Sequence, residues 1–297
     1  KMKFLYQAIK SLLQLISLLP VRILFVLSGM LEPLFSKIVK YRKKVILENL
    51  HKSFPAKSET EIDTIFKGFY RHFSDLFVEI IKLFSLSEKE LFERVTVSDE
   101  QVLTQLANDK KGVVVVMSHT GNWEWISQRV CYSGRSFDYV GVVAKEVSNP
   151  YFDKIFTQLR MRLQEGYSEI IPFNQTAKHL AAVRHKTSMI ITIADQTPHR
   201  DQIQYRTSFL NQDSGVFLGP ERIAKSLNFA VVFCHVSKPA RGRYHIRYEL
   251  ITASPKENPI YEITNKHVKM LEDDIIKQPE IWLWSHRRWK YQAKKVS

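Results

Sequence analysis

Cysteine is scarce: Cys131 and Cys234 are the only two in 297 residues. They lie far apart, each in or beside an apolar run, which argues against a disulfide framework or a cysteine-based zinc site. Both read as reduced core residues, and a cytosol-facing location follows. Also missing is an uncharged apolar run of about 20 residues, the length a membrane-spanning helix needs. The longest apolar segment, SLLQLISLLPVRILFVLSGMLEPLF from Ser11 to Phe35, is broken by Pro20, Arg22, Glu32 and Pro33 into uncharged stretches of eleven and nine residues. No small-x-small site follows that segment, so a cleaved signal sequence is not expected. Internal repeats, low-complexity tracts and long linkers are likewise missing. The organisation therefore reads as a basic, apolar helical segment over residues 1–57 followed by one folded domain over 58–297.

Acidic side chains are also in short supply. Lys and Arg outnumber Asp and Glu by 44 to 30, a net charge of +14. Residues 1–57 hold eleven basic side chains against only Glu32 and Glu48, so this stretch alone contributes +9. An excess of this kind suits a nucleic acid, an anionic membrane surface or an acidic substrate. Its flanking of a Leu-, Ile- and Phe-rich run favours the membrane over nucleic acid. The expectation is an N-terminal apolar helical membrane anchor whose helices lie in or dip into one leaflet, held by Lys3, Lys10 and Arg22. A buried pair of core helices is the alternative.

Ser58 and Glu61 form a capping-box pattern that opens a helix, with Ile62, Ile65, Phe66, Phe69, Phe73, Leu76 and Ile80 on one apolar face. His72 and Asp75 sit within that helix and receive no functional role. Beyond residue 110 the pattern changes to short β-rich runs at Gly112–Met117, Tyr139–Val143, Met189–Ile193, Ala230–Val236 and Tyr244–Ile251. Helical stretches are expected at Asn149–Gln164, Gln175–Arg184 and Thr264–Ile276. Such alternation predicts an α/β fold: a mixed, mostly parallel sheet flanked by helices, with the strands at 230–236 and 244–251 forming a hairpin.

Val113–Met117 is apolar throughout, as in a central strand buried on both faces, and runs directly into Ser118-His119-Thr120-Gly121-Asn122-Trp123-Glu124. Polar groups at the carboxyl end of such a strand occupy a customary active-site position. On a continuous helix His119 and Glu124 would be separated by about 140°. They meet only if His119 lies on the turn and Glu124 in the first helical turn, with Thr120, Gly121 and Asn122 supplying turn and cap. An imidazole held by a carboxylate on one nitrogen can take a proton from an attacking hydroxyl with the other, without a covalent enzyme nucleophile. Chance also supplies His-x4-Glu pairs, in which the histidine merely caps a helix or packs on Trp123.

In these residues the sequence resembles the late acyltransferases of lipid A biosynthesis, a branch of the lysophospholipid acyltransferase superfamily marked by His-x4-Asp/Glu. The likeness covers nearly the whole chain. It runs through Glu48-Asn49-Leu50, Ser53-Phe54-Pro55, the His119 motif, Ile193-Ala194-Asp195-Gln196 and Gly219-Pro220-Glu221. It ends in Trp282-Leu283-Trp284-Ser285-His286-Arg287-Arg288-Trp289-Lys290.

The resemblance implies transfer of a fatty acyl chain from an acyl carrier protein thioester to a hydroxyl of a lipid A precursor, at the cytoplasmic face of a bacterial inner membrane. It implies no cofactor beyond that co-substrate, no metal and no nucleic acid. His119 would be the base and Glu124 its orienting partner. Either Arg160 or Arg162 would match the family's active-site arginine, binding phosphate or an oxyanion. Asn122, Gln196 and Glu221 join the expected substrate-binding set, with Gly219-Pro220-Glu221 lining the acyl or acceptor pocket. Asp195 follows its strand as His119 follows its own, so parallel strands would bring both to one rim. There Asp195 would order an arginine or the acceptor, unless it only caps a turn. The final tryptophans form either a membrane-interface belt or part of the core. An aminolipid, a lysophospholipid or a glycolipid would be an alternative acceptor for the same chemistry. A non-catalytic basic peripheral membrane protein is the reading from another class.

Overall fold

The structure, a computed structural model, describes residues 2–147, 149–164 and 166–291, and side chains from Tyr6 onward. Its centre is the seven-stranded sheet that the short apolar runs require. In chain order the strands are β1 (Val95–Ser98), β2 (Val113–Met117), β3 (Tyr139–Ala144), β4 (Ser168–Pro172), β5 (Ser188–Ile193), β8 (Ala230–Ala240) and β9 (Arg243–Thr252). They lie side by side as β1-β9-β8-β2-β5-β3-β4. Every neighbouring pair is parallel except β8 and β9, which form the expected hairpin. A small antiparallel ribbon, β6 (Arg206–Phe209) with β7 (Gln212–Gly215), stands apart from this sheet.

β2 is buried along its whole length, and its two faces feed two separate cores. Val114 and Val116 join Phe69, Tyr70 and Phe73 of α4 (Glu59–Lys82) and Ile263 and Leu271 of α11 (Glu262–Lys277). Val113, Val115 and Met117 face Leu91 of α5 (Glu88–Arg94), Leu103 of α6 (Gln101–Asn108) and Trp125 and Val130 of α7 (Trp123–Ser133). Strand alternation delivers successive side chains to opposite layers, and helices cover both. The capping box of α4 is present: Ser58 Oγ accepts from Glu61 N at 3.3 Å, and Glu61 Oε2 accepts from Ser58 N at 2.9 Å.

The N-terminal segment is helical, as expected, and sharply bent. It forms α1 (Met2–Ser17) and α2 (Val21–Pro33), continues through a π-helical turn (Leu34–Ile38) and is followed by α3 (Lys43–Ser53). Among the described residues no single helix is long and apolar enough to cross a membrane, and the first two meet at a bend of 119°. Pro20, which cannot donate a backbone hydrogen bond, lies at that break. α2 is buried through Val21, Leu24 and Ser28, one face of a helix, while Ile23, Val26 and Met30 on its other side are exposed. Of the three expected anchoring cations, Lys10 donates to Gln158 at 2.8 Å, Arg22 is exposed, and the Lys3 side chain lies outside the described residues.

The terminal tryptophans belong to the core. Trp282, Trp284 and Trp289 are buried, and Trp282 meets Trp284 edge-on with ring centroids 4.8 Å apart. Each indole N–H has an acceptor: Asp195 Oδ2, the Pro279 carbonyl and Ser214 Oγ respectively. Asn49 of α3 donates to the carbonyls of Trp284 and His286 at 2.9 and 3.0 Å. That contact ties the Glu48-Asn49-Leu50 motif to the distant Trp-x-Trp-x-His motif.

Candidate active site

The site is a consequence of strand register. β2 and β5 pair in parallel with Met117 opposite Ile193. Ala194 N continues the ladder to the Met117 carbonyl at 3.1 Å. His119 and Asp195 each lie two residues beyond that last pair, so both emerge at the same height on adjacent strand ends. His119 N donates to Asp195 Oδ2 at 3.0 Å, and the ring Nδ1 lies 2.6 Å from Oδ1. Trp282 Nε1 adds a third donor to Oδ2 at 2.9 Å. Burial works against a charge on Asp195, but the His119 ring, the His119 N–H and the Trp282 indole outweigh it and hold the carboxyl down at about 2.

The carboxylate requires Nδ1 to carry the proton, which leaves the Nε2 lone pair as the free basic site. Nε2 faces Gln196 Nε2 at 3.3 Å. His119, Gln196, Trp123 and Glu124 line a cleft of about 1190 Å³. Its walls are largely apolar, with Val143 of β3, Leu180 of α9 (Thr176–Val183), Phe173, Phe217 and Ile223 of α10 (Gly219–Leu227). Lys145, Arg184 and Arg222 are exposed at its edge.

Local chemistry fixes the turn between His119 and α7. Gly121 has φ +63°, and a Cβ there would come within 2.9 Å of the Tyr244 ring, so glycine is required for backbone and space alike. Asn122 caps α7, its Oδ1 accepting from Trp125 N at 3.0 Å. Its Nδ2 donates to Glu79 Oε2 at 3.0 Å, where Tyr244 Oη also donates at 2.8 Å. Burial raises the Glu79 carboxyl above its usual range, opposed by Lys238, Tyr244 and Asn122. Asn122 thus builds the turn and does not line the cleft.

Glu124 is where the spacing argument misleads. It lies in the first turn of α7, as expected, but it points along the cleft wall to Arg160 of α8 (Pro150–Met161). Arg160 Nη2 and Nε donate to its two oxygens at 2.6 and 2.9 Å in a bidentate pair. Among the described residues no hydrogen bond joins Glu124 to His119, and the carboxylate on the imidazole is that of Asp195. Arg160 is the arginine at the cleft. Arg162 turns away and donates to the carbonyls of Leu83, at 2.7 Å, and Leu86, tying down the segment after α4.

Glu221 is likewise outside the cleft. Gly219 and Pro220 line it, but the Glu221 carboxylate caps α11, accepting from Thr264 N at 3.0 Å, Thr264 Oγ1 at 2.6 Å and Tyr261 N at 2.8 Å. Its structural duty follows from a burial that demands paired oxygens.

The model of the bacterial lipid A biosynthesis acyltransferase family matches residues 2–291. The chain belongs to that family. A comparison with curated proteins finds no match. In this acyltransferase the equal two-residue offset of His119 and Asp195 from their strands was the one sequence signal for their contact. Glu79 and Trp282 carried no such signal, since each reaches the site from a distant element.

The buried His267 and the partly buried His286 contribute to a pH-sensitive fold. Burial depresses His267 and His286 from 6.5 to about 4. Both are therefore neutral in the folded protein, while in the unfolded chain they take up a proton below about 6.5. Their stabilising effect is complete above that value and is lost as pH falls through about 4. The thermal midpoint should drop as pH is lowered from 6.5 to 4, and His267→Gln should flatten that slope; a midpoint unchanged over the interval would contradict the assignment.

Proposed function

We propose that the protein transfers a fatty acyl chain from an acyl carrier protein thioester to a hydroxyl of a lipid A precursor, with His119 as general base and Asp195 as the group that fixes its ring. The observation carrying this reading is the orientation of one imidazole. Nδ1 is tied to a buried carboxylate, and Nε2 opens on a cleft with apolar walls. Family membership supports the acyl-transfer chemistry.

The acceptor hydroxyl approaches Nε2, loses its proton there as its oxygen attacks the thioester carbonyl, and the proton then returns to the departing thiolate. No enzyme nucleophile is called for. Ser118 is buried against Thr120 at 2.7 Å, and burial raises the Cys131 thiol to about 12. Val143, Phe173, Leu180 and Phe217 suit the hydrocarbon chain. Lys145, Arg184 and Arg222 suit an anionic carrier or acceptor headgroup, and Glu124 holds Arg160 at the wall between them.

The same reading seats the protein on the cytoplasmic face of the bacterial inner membrane. Leu12 and Leu15 on α1, Leu18 in the turn after it, and Ile23, Val26 and Met30 on α2 are exposed, an apolar surface on a segment of high positive charge. That combination favours helices lying in the plane of an anionic bilayer. A lipid acceptor would then reach the cleft without leaving the membrane.

In an assay following radiolabelled acyl groups from the carrier protein to a lipid A precursor, His119→Ala should lower transfer about 10²–10⁴-fold; undiminished transfer would refute the base assignment. Vesicle flotation tests the membrane seat. The protein should float with vesicles containing anionic phospholipid, and replacing Leu12, Leu15 and Met30 together by Ser should release it; equal flotation of the two would contradict the seat.

A further inference from the structure

General-base attack on a thioester leaves one requirement unmet: the carbonyl oxygen gains negative charge and needs a donor aimed at it. Several backbone N–H groups around His119 are committed elsewhere. His119 N donates to Asp195, Gly121 N to the Ile281 carbonyl and Ala194 N to the Met117 carbonyl. Thr197 N is directed at His286 Nε2, 3.4 Å away, and Trp125 N at Asn122. Arg160 is engaged twice by Glu124, which neutralises it.

Gln196 remains. Its side chain lies in the cleft, with Nε2 at 3.3 Å from the free nitrogen of His119. Since Nδ1 carries the ring proton toward Asp195, His119 Nε2 is an acceptor, and the face of Gln196 turned toward it must be the amide N–H. We infer that Gln196 is a catalytic residue whose side-chain amide donates to the oxyanion of the tetrahedral intermediate.

The geometry of the step fits. In the resting site the amide occupies the lone pair that the acceptor hydroxyl must reach. The incoming hydroxyl takes that place and displaces the amide by a short distance. As the hydroxyl oxygen bonds to the thioester carbon, its proton passes to His119 Nε2 and the carbonyl π pair moves onto oxygen. Nucleophilic oxygen and oxyanion are then borne on one carbon, beside two nitrogens that started 3.3 Å apart. His119 holds the first and Gln196 donates to the second. Collapse re-forms the carbonyl, breaks the carbon–sulfur bond and returns the proton from His119 to the thiolate. Gln196 sits directly after Asp195, so the strand end that orients the base also sets the oxyanion donor.

This inference rests on the acyl-transfer reading, and one experiment separates the two. Steady-state transfer from acyl carrier protein to a lipid A precursor is measured for the wild type and for Gln196→Met, which keeps the side-chain length and removes the donor. Gln196→Glu, which keeps the shape, serves as a second variant. The folded state of each is checked by its thermal midpoint. The expected result is a kcat about 10²–10³-fold lower with KM for the acyl donor changed by less than about threefold, because a donor used only in the transition state leaves ground-state binding alone. A folded Gln196→Met or Gln196→Glu protein with wild-type kcat overturns the inference and leaves the acyl-transfer reading standing. A wild-type protein that transfers nothing to the lipid overturns both.

Discussion

Much of the molecule is arranged around the carboxylate of Asp195. It accepts from the His119 backbone, the His119 ring and the Trp282 indole, three donors from two distant parts of the chain. A buried carboxylate without partners would protonate or disrupt the fold; with three donors it stays ionised and dictates the tautomer of the histidine beside it. Satisfying it requires β2 and β5 to pair in register, which places His119 at the rim. It also requires the C-terminal segment to return across the His119 turn, where Thr120 bridges to Trp282 and Gly121 N donates to the Ile281 carbonyl. Trp282 thereby acquires a physical purpose: its buried indole supplies the carboxylate's third donor.

A second buried network supports the same turn from behind. Glu79 holds Asn122 and Tyr244 through its carboxylate, and its backbone carbonyl accepts from Trp125 Nε1 at 2.9 Å. One helical turn earlier, Asp75 binds Arg241 and accepts from Ser28 Oγ of α2 at 2.6 Å. Asp75, given no role on sequence grounds, thus fastens α2 to the turn between β8 and β9, while His72 Nδ1 lies 3.1 Å from Lys238 Nζ of β8. The segment read as membrane-seeking is joined to the turn bearing His119 through one helix, α4.

Apolar strands were legible because they are uniform. Val113–Met117 and Met189–Ile193 admit few readings other than buried strands, and the hairpin of β8 and β9 followed from their length and spacing. β1 and β4 were missed because VTVS and SEIIP are short and mixed, and only their position at the sheet edges makes them strands. The site was half legible. Sequence proximity pointed from His119 to Glu124, and Glu124 does open the next helix. Gly121 at positive φ and the Asn122 cap turn that helix so that its carboxylate meets Arg160 instead. The partner of the imidazole depends on strand order, which places β5 beside β2 although β3 and β4 intervene in the chain. Local patterning carries no such information. The duties of Arg162 and Glu221 are hidden for a related reason, since nothing in their neighbours reveals the carbonyls of Leu83 and Leu86 or the buried N-terminal end of α11 that they satisfy.

The central claim is that Asp195, and not Glu124, holds the proton-bearing Nδ1 of His119. Proton and nitrogen resonances of 15N-histidine-labelled protein test it directly and without any assay of activity. A strongly downfield ring N–H signal that disappears in His119→Gln identifies the bond. It should persist in Glu124→Gln and vanish in Asp195→Asn. Loss of the signal in Glu124→Gln with retention in Asp195→Asn would contradict the account.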